Sequence, residues 1–256
     1  MRKNTLKEML GNQKAVIGTF VKGTDPANVE ILALAGFDFF VLDNEHVAMD
    51  REQLVNIVRA AEAFGIEPVV RVKENQQVEI LQNLDLGYTG VQVPNVDTAE
   101  EAEALVKSVK YGPRGIRGFS PSVRACCYGA SNIKEYIQKA NDNTLVVAHC
   151  ETKTCVDNLD EVLKIDGLDV IFIGPMDLSQ SLGLTGETAN PIVKDTIRYA
   201  MNKIKASGKI IGTVAGNAEA AKALIDQGVQ YILLSSDQGM MFRWGKDALG
   251  AIRGDE

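Results

Sequence analysis

The sequence of 256 residues has little of several features that assign a protein class directly: it contains two histidines, one tryptophan and no run of 18 or more apolar residues. Without such a run, no membrane span is predicted. The first residues also lack the apolar segment of a signal peptide, so we expect a cytoplasmic protein. The 34 acidic residues outnumber the 27 basic ones, and the net charge of −7 gives no support for nucleic-acid binding.

Cysteine is also scarce, and its spacing argues against two common roles. The sequence contains no C-x-x-C pair of the kind that binds structural zinc. Because no secretion signal is predicted, we expect reduced thiols rather than disulfides. The four cysteines are Cys126, Cys127, Cys150 and Cys155.

Short apolar segments alternate with helical patterns along the whole chain. Hydrophobic residues make up 45% of the sequence and charged residues 24%, which is typical of soluble globular proteins. Strands are predicted near 15–20, 37–43, 67–71, 90–94, 144–151, 169–173, 209–213 and 231–235. Helices are predicted near 26–36, 50–64, 76–86, 98–109, 153–164 and 217–228, with a long helical stretch to about 207 and a last helix to about 251. No element is assigned within the glycine-containing segment 111–143.

The continuous apolar character of these strands favours a parallel sheet that is covered on both faces. Eight strand–helix units in a chain of this length predict an α/β fold, a (β/α)₈ TIM barrel that forms a single domain over residues 1–256. A doubly wound open sheet is the main alternative. Against it, no G-x-G-x-x-G follows the first strand.

Polar residues lie at the carboxyl ends of the predicted strands, where a barrel of this kind places its active site. They are Asp43, Asn44, Glu45 and His46 at the end of the second strand, Arg71 at the third, Asn95 at the fourth, His149, Cys150 and Glu151 at the fifth, Asp177 past the sixth, Thr213 at the seventh, and Ser235, Ser236 and Asp237 at the eighth. Alternate residues of a strand share a face. If Glu151 faces the barrel interior, His149 lies one layer below it and Cys150 faces the helices.

Two carboxylates on neighbouring strands, Glu151 and Asp177, could hold Mg²⁺ or Mn²⁺, which prefer oxygen ligands and retain several waters. Such an ion would chelate an oxo acid and polarise its carbonyl group. The alternative is structural: Glu151 pairs with a lysine and Asp177 caps a helix.

Three further side chains suit acid–base chemistry or anion binding. His46 is a candidate general base, or else a solvated loop histidine. Arg71 could clamp a carboxylate or an enolate oxygen, or else form an ion pair with Asp43 or Glu45. His149 could be a metal ligand or a buried, hydrogen-bonded histidine.

Glycines and lysines near the strand ends complete the set of candidates. Gly115 and Gly118 would allow unusual backbone angles close to a ligand, or else form an ordinary turn. The turn at Gly174 precedes a helix whose free N–H groups could bind a carboxylate. Lys73 and Lys153 lie just past strand ends, but no lysine ends the sixth strand, which disfavours a Schiff-base mechanism.

Five motifs, taken together and in order, resemble the HpcH/HpaI aldolase family of class II pyruvate aldolases. The resemblance extends from about Gly18 to Ala248. The motifs are Leu42-Asp43-Asn44-Glu45-His46, Val69-Val70-Arg71, Gly115-Ile116-Arg117-Gly118, Glu151-Thr152 and Phe172-Ile173-Gly174-Pro175-Met176-Asp177-Leu178-Ser179.

This resemblance implies a metal-dependent aldolase that reversibly cleaves a 4-hydroxy-2-oxo acid to pyruvate and an aldehyde. It implies that Mg²⁺, Mn²⁺ or Co²⁺ is held by Glu151 and Asp177. It further implies a set of roles: His46 as the base, Asp85 as its partner, Arg71 as the group that stabilises the enolate, the backbone of Gly174, Pro175 and Met176 as the carboxylate site, and Asp43 and Glu45 as orienting groups. The family also implies a homo-oligomer, a hexamer built as a trimer of dimers, in which the last helix packs on a neighbouring subunit.

Two residues depart from the family pattern and keep other functions open. His149 replaces the glutamine that usually stands two residues before the metal-binding glutamate, and Asn44 replaces a glycine. An acyl-CoA lyase of the citrate-lyase β type and a non-catalytic barrel that binds an oxo acid remain as alternatives. For the aldehyde, Arg124 and Tyr128 are candidate contacts, with help from a neighbouring subunit.

Overall fold

Eight parallel strands close into a barrel in the computed structural model, which describes residues 5–254. Each strand pairs with the next one along the chain, and β8 pairs with β1. The strands are β1 (Val16–Val21), β2 (Phe39–Asp43), β3 (Glu67–Arg71), β4 (Gly90–Val93), β5 (Leu145–Cys150), β6 (Val170–Ile173), β7 (Ile210–Ala215) and β8 (Tyr231–Ser236). The predicted (β/α)₈ architecture is therefore confirmed.

Helices surround the barrel and connect its strands. They are α1 (Thr5–Gly11), α2 (Ala27–Leu34), α3 (Arg51–Phe64), α4 (Gln77–Leu86), α5 (Ala99–Val109), α6 (Ile133–Asn143), α7 (Lys153–Val162), α8 (Pro175–Ser181), α9 (Pro191–Ser207), α10 (Ala218–Asp226) and α11 (Asp237–Arg253). Local signals set several of the boundaries. Asp50 and Thr98 each form a capping box at the start of a helix, and Gly65 ends α3 in the left-handed conformation.

The alternation of side chains divides the core into two layers. On β5, Leu145 and Val147 point into the barrel, whereas Val146 and Ala148 pack against the helices. Inside the barrel, the rings of Phe39 and Tyr231 lie 4.5 Å apart. A side chain at Gly18 could not fit there, because its Cβ would lie 2.5 Å from the Phe39 ring.

Two segments differ from the sequence-based expectation. The prediction of one long helix after β6 is wrong, because the chain forms two helices there, α8 and α9. They are separated by a turn in which Gly183 and Gly186 have positive φ, and Pro191 begins the second helix. The segment 111–143, to which no element was assigned, contains a 3₁₀ segment (Arg124–Gly129) and α6.

The first helix, α1, was not predicted, although it completes the core. Leu6 and Leu10 are fully buried and join the apolar cluster inside the barrel, so α1 closes the end at which the strands begin. Within residues 5–254, none of the helices has the length and apolar character that a membrane span requires.

Candidate active site

The carboxyl ends of the strands meet at one end of the barrel, which we call the mouth and define by Asp43, Arg71, Glu151 and Gly174. The register of the β2–β3 pair places Asp43 directly beside Arg71. Because all strands run parallel in a closed sheet, residues that lie far apart in sequence converge here. The predicted clustering of polar strand-end residues is therefore seen in the structure.

Arg71 forms a buried ion-pair network with Asp43 at the end of β2 and Glu45 on the loop that follows. Its Nε atom donates to Asp43 Oδ1 at 3.1 Å, and its NH2 nitrogen lies 2.8 Å from Asp43 Oδ2. Its NH1 nitrogen lies 3.0 Å from Glu45 Oε2, and the guanidinium stacks over the Phe20 ring at 4.6 Å. The ion pair that the sequence analysis offered as an alternative reading is thus made with both acids. Since a guanidinium carries five N–H donors, Arg71 retains donors for a ligand.

The pKa values of the Asp43 and Glu45 carboxyl groups are shifted in opposite directions. Burial raises the pKa of Asp43, but the hydrogen bond and charge of Arg71 and the His46 N–H lower it, and the net result is below the ordinary value. Burial also raises the pKa of Glu45, and here the charge of Arg71 does not compensate, so the net pKa lies above its ordinary value. At neutral pH, Asp43 is therefore the firmly ionised partner of Arg71.

A chain of buried hydrogen bonds runs through the barrel to Glu151. The Tyr231 hydroxyl donates to Gln92 Oε1 at 3.0 Å, and Gln92 Nε2 lies 2.7 Å from His149 Nε2. His149 Nδ1 in turn lies 2.7 Å from Glu151 Oε2. Burial raises the pKa of Tyr231 well above its ordinary value, so this hydroxyl stays protonated and donates.

This arrangement orients the ring of His149. With its carbonyl oxygen occupied by Tyr231, the Gln92 amide presents N–H to the Nε2 side of His149. The Nδ1 side of the ring then faces the Glu151 carboxylate at 2.7 Å. His149 matches the buried, hydrogen-bonded histidine of the sequence analysis and orients the Glu151 carboxylate.

The second oxygen of Glu151 is held by backbone. The N–H of Asn95 donates to Glu151 Oε1 at 3.0 Å, and Asn95 has a positive φ of 52°, a conformation that asparagine tolerates better than most residues. Burial raises the pKa of Glu151, but His149 and the Asn95 N–H lower it, and the net pKa is below its ordinary value. Glu151 is therefore an ionised carboxylate, buried except for 3% of its surface.

Glu151 and Asp177 converge beside Gly174. A Cβ at Gly174 would lie 2.6 Å from Glu151 Oε2 and 3.6 Å from Asp177 Oδ2, so only glycine leaves the space between the two carboxylates open. Among residues 5–254, no group of three or more acidic, histidine or cysteine side chains is arranged to hold a metal ion. Two hard carboxylates with room for water and substrate oxygens fit Mg²⁺ or a similar divalent cation.

His46 lies on the loop after β2, exposed to solvent. Its backbone N–H donates to Asp43 Oδ1 at 3.2 Å, and its Nε2 atom lies 3.9 Å from Glu45 Oε2. The expected pairing with Asp85 is not made within one chain: Asp85 Oδ1 instead accepts from the buried Arg117 guanidinium at 2.8 Å. In the part of the chain that the structure describes, no hydrogen bond or ion pair joins Asp85 to His46.

The glycine motif at 115–118 lies against the end of α5. Gly115 is required there because a Cβ would lie 2.3 Å from the Lys110 carbonyl oxygen. Arg117 stacks over the Tyr111 ring at 4.5 Å. This motif therefore holds the loop against the helix and contributes Arg117 to the contact with Asp85.

The two candidate aldehyde contacts lie away from the mouth of their own chain. Arg124 pairs with Glu62 of α3, and its NH1 nitrogen donates to the Leu86 carbonyl oxygen at 2.9 Å. Arg124 and Tyr128 line a cavity of about 610 Å³ that also contacts Thr89 and Thr144, which directly precede β4 and β5.

Three residues near the site were missed in the sequence analysis. Lys22, directly after β1, lies 3.5 Å from Asp43 Oδ2 through its Nζ atom. Gln92 and Tyr231 lie inside the barrel and connect to His149. Lys22 could have been found from sequence if the first strand had been extended by one residue, whereas a single polar residue within an apolar strand gives no such signal.

Known proteins are similar in sequence to this chain over most of its length. A sequence model of the family described as HpcH/HpaI aldolase/citrate lyase matches residues 16–243. The chain is 39% identical over 246 residues to a 2-dehydro-3,6-dideoxy-6-sulfogluconate aldolase of Pseudomonas putida, covering 96% of each protein. It is 36% identical over 246 residues to a 5-keto-4-deoxy-D-glucarate aldolase of Salmonella arizonae, covering 96% of this chain and 95% of that protein.

A solved structure agrees with the same assignment of fold. The crystal structure of the citrate synthase SbnG superposes on this barrel with a TM-score of 0.89 at 34% sequence identity, covering 98% of this chain and 99% of the other. The chain is therefore similar in sequence to proteins named as aldolases, and it shares its fold with a citrate synthase.

Proposed function

The chain belongs to the HpcH/HpaI aldolase/citrate lyase family and is a carbon–carbon lyase, and on that premise we propose that it reversibly cleaves a 4-hydroxy-2-oxo acid to pyruvate and an aldehyde with the help of a divalent cation. The observation that carries this proposal is the convergence of Glu151 and Asp177 beside Gly174, across a mouth that also holds Arg71 and His46. The curated relatives are named as aldolases that act on acidic sugars, which is consistent with an oxo-acid substrate.

Glu151 and Asp177 would hold the cation, which we propose to be Mg²⁺, Mn²⁺ or Co²⁺. When bound, it would supply Lewis-acid polarisation of the 2-oxo group and stabilise the negative charge that develops there. His149 and Asn95 keep Glu151 ionised and aimed at this position through one hydrogen bond to each of its oxygens. Each oxygen retains a lone pair for a further ligand.

Arg71 would bind the substrate oxygens and stabilise the enolate of pyruvate. The guanidinium is fixed by Asp43 and Glu45 and by its stacking on Phe20, so little side-chain freedom is lost when a ligand binds. Its charge would stabilise an enolate oxygen, and a charge that is already in place lowers the barrier most effectively. Asp43 and Glu45 are thus positioning residues for Arg71.

His46 would act as the base that moves the proton. In cleavage, the 4-hydroxyl group gives up its proton, the C3–C4 bond breaks, and the electron pair passes into the enolate; the methyl carbon of pyruvate then takes up a proton. A histidine has a reference pKa close to neutrality, which suits both directions of this transfer. The exposed position of His46 at the loop after β2 lets it approach a substrate from the open side of the mouth.

The first turn of α8 would bind the substrate carboxylate. Gly174 is its N-cap and makes no side-chain cap, so the N–H groups of Met176 and Asp177 remain available to an anion. Pro175 occupies the first helical position, where a missing N–H costs nothing, and it contributes shape rather than a hydrogen bond.

We further propose that the chain assembles as a homo-oligomer, a hexamer built as a trimer of dimers. Helix α11 contains no buried residue, and its apolar side chains are largely exposed. They are Met241, Phe242, Trp244, Leu249 and Ile252. An apolar patch of this size on a terminal helix is typical of a surface that another subunit covers.

The test of the proposed activity is metal-dependent release of pyruvate from a 4-hydroxy-2-oxo acid. We expect the activity to disappear in EDTA and to return with Mg²⁺, Mn²⁺ or Co²⁺. Full activity in EDTA together with trapping of substrate by borohydride would contradict the proposal. Cleavage of malyl-CoA, or condensation with acetyl-CoA, would favour the citrate-lyase β alternative. The 34% identity to a citrate synthase is the reason for testing it. No turnover with any acceptor, but binding of pyruvate, would favour an oxo-acid sensor.

A further inference from the structure

A row of polar side chains crosses the interior of the barrel, and the proposed mechanism gives no role to two of its members, Tyr231 and Gln92. Tyr231 begins β8, and Gln92 lies on β4, which is four strands away in either direction around the closed sheet. The Tyr231 hydroxyl donates to Gln92 Oε1 at 3.0 Å, and Gln92 Nε2 lies 2.7 Å from His149 Nε2. The row therefore connects opposite walls of the barrel and ends at the residue that contacts Glu151.

The members of the row are buried in an otherwise apolar layer. Tyr231 and Gln92 have no exposed surface, and His149 is 1% exposed. Aliphatic and aromatic side chains make up the cluster that fills the inside of the barrel. A polar group taken out of water costs free energy unless it is hydrogen-bonded, whereas apolar groups of the same shape would fill the space without that requirement. The stability of the fold alone therefore does not explain the row.

Packing holds the rings of the row in place. The Phe172 ring stacks on the His149 ring at 4.8 Å and meets the Tyr231 ring edge-on at 6.1 Å. Gly212 makes room for this arrangement, since a Cβ there would lie 2.9 Å from the Phe172 ring and 3.0 Å from the Tyr231 ring. The row is thus arranged before any ligand binds.

Each hydrogen bond of the row depends on the one before it. The Tyr231 hydroxyl occupies the carbonyl oxygen of Gln92, which turns the amide nitrogen towards His149. The His149 ring then presents Nδ1 to Glu151 Oε2 at 2.7 Å. Within residues 5–254, the buried side-chain atoms that lack a hydrogen bond belong to residues outside the row. Without the hydroxyl, nothing in the row would select one orientation of the Gln92 amide over the other, because its two ends have the same shape.

From this geometry we infer that Tyr231 and Gln92 are positioning residues for Glu151, the proposed metal ligand, and that they act on it through His149. The inference rests on the proposed function, because it takes the cation to lie at Glu151 and Asp177. It makes the affinity for the cation depend on a hydroxyl that is fully buried at the start of a strand. A satisfied buried network of this kind holds its members in one arrangement, and groups that orient a metal ligand contribute to metal affinity.

Titration calorimetry with Mn²⁺ tests this without turnover. Tyr231→Phe keeps the ring and removes only the hydroxyl, and it should weaken Mn²⁺ binding about fivefold. Gln92→Leu should weaken it by at least as much. Tyr88→Phe is the matched control, since Tyr88 is also buried and its hydroxyl donates to the Leu54 carbonyl oxygen at 3.1 Å, outside the row. This control should keep the wild-type affinity, whatever its effect on thermal unfolding.

A double variant tests whether the effect passes through His149. In His149→Leu the row is already interrupted, so adding Tyr231→Phe should change the Mn²⁺ affinity by less than about twofold. Two losses that multiply would mean that the hydroxyl acts by another route, and they would overturn the inference. A loss of affinity in Tyr88→Phe as large as that in Tyr231→Phe would also overturn it, because the effect would then follow from destabilisation in general.

The outcomes separate the failure of this inference from failure of the proposed function. Wild-type protein that binds no Mn²⁺, with or without pyruvate, would refute the proposed metal site and this inference with it. Wild-type protein that binds Mn²⁺ no more tightly than Tyr231→Phe and Gln92→Leu would refute the inference alone. The expected losses of affinity in a protein that forms no aldol product would support the inference and refute the proposed activity. Thermal unfolding of each variant checks that the barrel is intact.

Discussion

The two ends of this barrel treat charged residues in opposite ways. At the end where the strands begin, buried acids are tied into the fold. Glu67 accepts from the Thr5 N–H and hydroxyl and from the Thr89 hydroxyl, at 2.6 to 3.0 Å. Asp169 binds Lys7 at 2.9 Å and accepts from the Val146 N–H at the same distance. Every one of these contacts joins segments distant in sequence, so this end of the barrel is held together by its polar groups.

At the mouth, by contrast, charges converge without being fully satisfied. Asp43 Oδ2 is buried and meets the charges of Arg71 at 2.8 Å and Lys22 at 3.5 Å, but neither contact has hydrogen-bond geometry. Glu151 and Asp177 approach the same open space beside Gly174 although both are acids. Arranging like charges in this way costs stability, which suggests a ligand as the missing partner. Charged residues at the start of the strands thus stabilise the fold, and we propose that those at the mouth serve chemistry.

The largest expected difference between the two ends is the loss of activity in Arg71→Ala, a change at the mouth. Removing the guanidinium should lower kcat/KM for pyruvate release by about 10²- to 10³-fold, because the group that stabilises the enolate is lost. Arg71→Lys keeps the charge but loses the planar fork and should recover only part of the activity. A steady-state assay of purified, folded variants measures this, and wild-type rates in Arg71→Ala would remove Arg71 from the mechanism.

A change at the opposite end should have the reverse profile. Glu67→Ala leaves the Thr5 and Thr89 donors without their buried acceptor and should lower the free energy of unfolding by about 2–3 kcal/mol. The kcat/KM of the folded protein should be unchanged, because Glu67 lies at the end of the barrel remote from the mouth. Urea denaturation and a rate assay on the same sample provide the test. A loss of activity in parallel with Arg71→Ala would mean that the two ends do not differ as described.

A smaller effect is expected one contact away from the proposed cation. His149→Leu removes the hydrogen bond to Glu151 and should weaken Mn²⁺ binding roughly tenfold, the usual effect of losing a group that orients a ligand. His149→Gln is the matched control, since its amide can still donate, and it should bind Mn²⁺ within about threefold of wild type. Titration calorimetry measures both, and equal affinities in wild type and His149→Leu would show that His149 does not position Glu151.

The smallest effect concerns the acid stability of the mouth. The pKa of Asp43 is lowered from 3.8 in the folded chain, since Arg71 outweighs the effect of burial, so ionised Asp43 stabilises the fold above that pH. This stabilisation is lost as the pH falls through the lowered pKa. The difference in free energy of unfolding between wild type and Asp43→Asn should therefore be constant above about pH 5 and shrink below pH 3.8. A difference that grows at low pH would contradict the direction of the shift.

The sequence predicts the strands of the barrel better than the helices that surround them. Each strand is a continuous apolar run with a polar or glycine boundary, so all eight were predicted to within two residues at most ends. Residues 111–143 and 175–207 were predicted poorly, because helices there are interrupted by glycine turns whose positions depend on packing against the barrel. The α1 helix was missed since it is short and buries only a few apolar side chains, Leu6, Met9 and Leu10.

Within the site, strand ends could be predicted and side-chain partners could not. Register alone places Asp43 beside Arg71, but it does not decide whether Arg71 turns to Asp43, to Glu45 or to both. The sequence likewise does not show that the Asp85 carboxylate accepts a hydrogen bond from Arg117 of the same chain. Motif order identifies which residues gather, whereas three-dimensional packing determines which of them touch.

The most direct test of the proposed site is anomalous scattering from crystals grown with Mn²⁺ and pyruvate. One manganese ion should lie between the carboxylate oxygens of Glu151 and Asp177, with the oxo acid completing its ligand shell beside Gly174. Pyruvate bound at the mouth with no manganese between these two side chains would contradict the proposed mechanism.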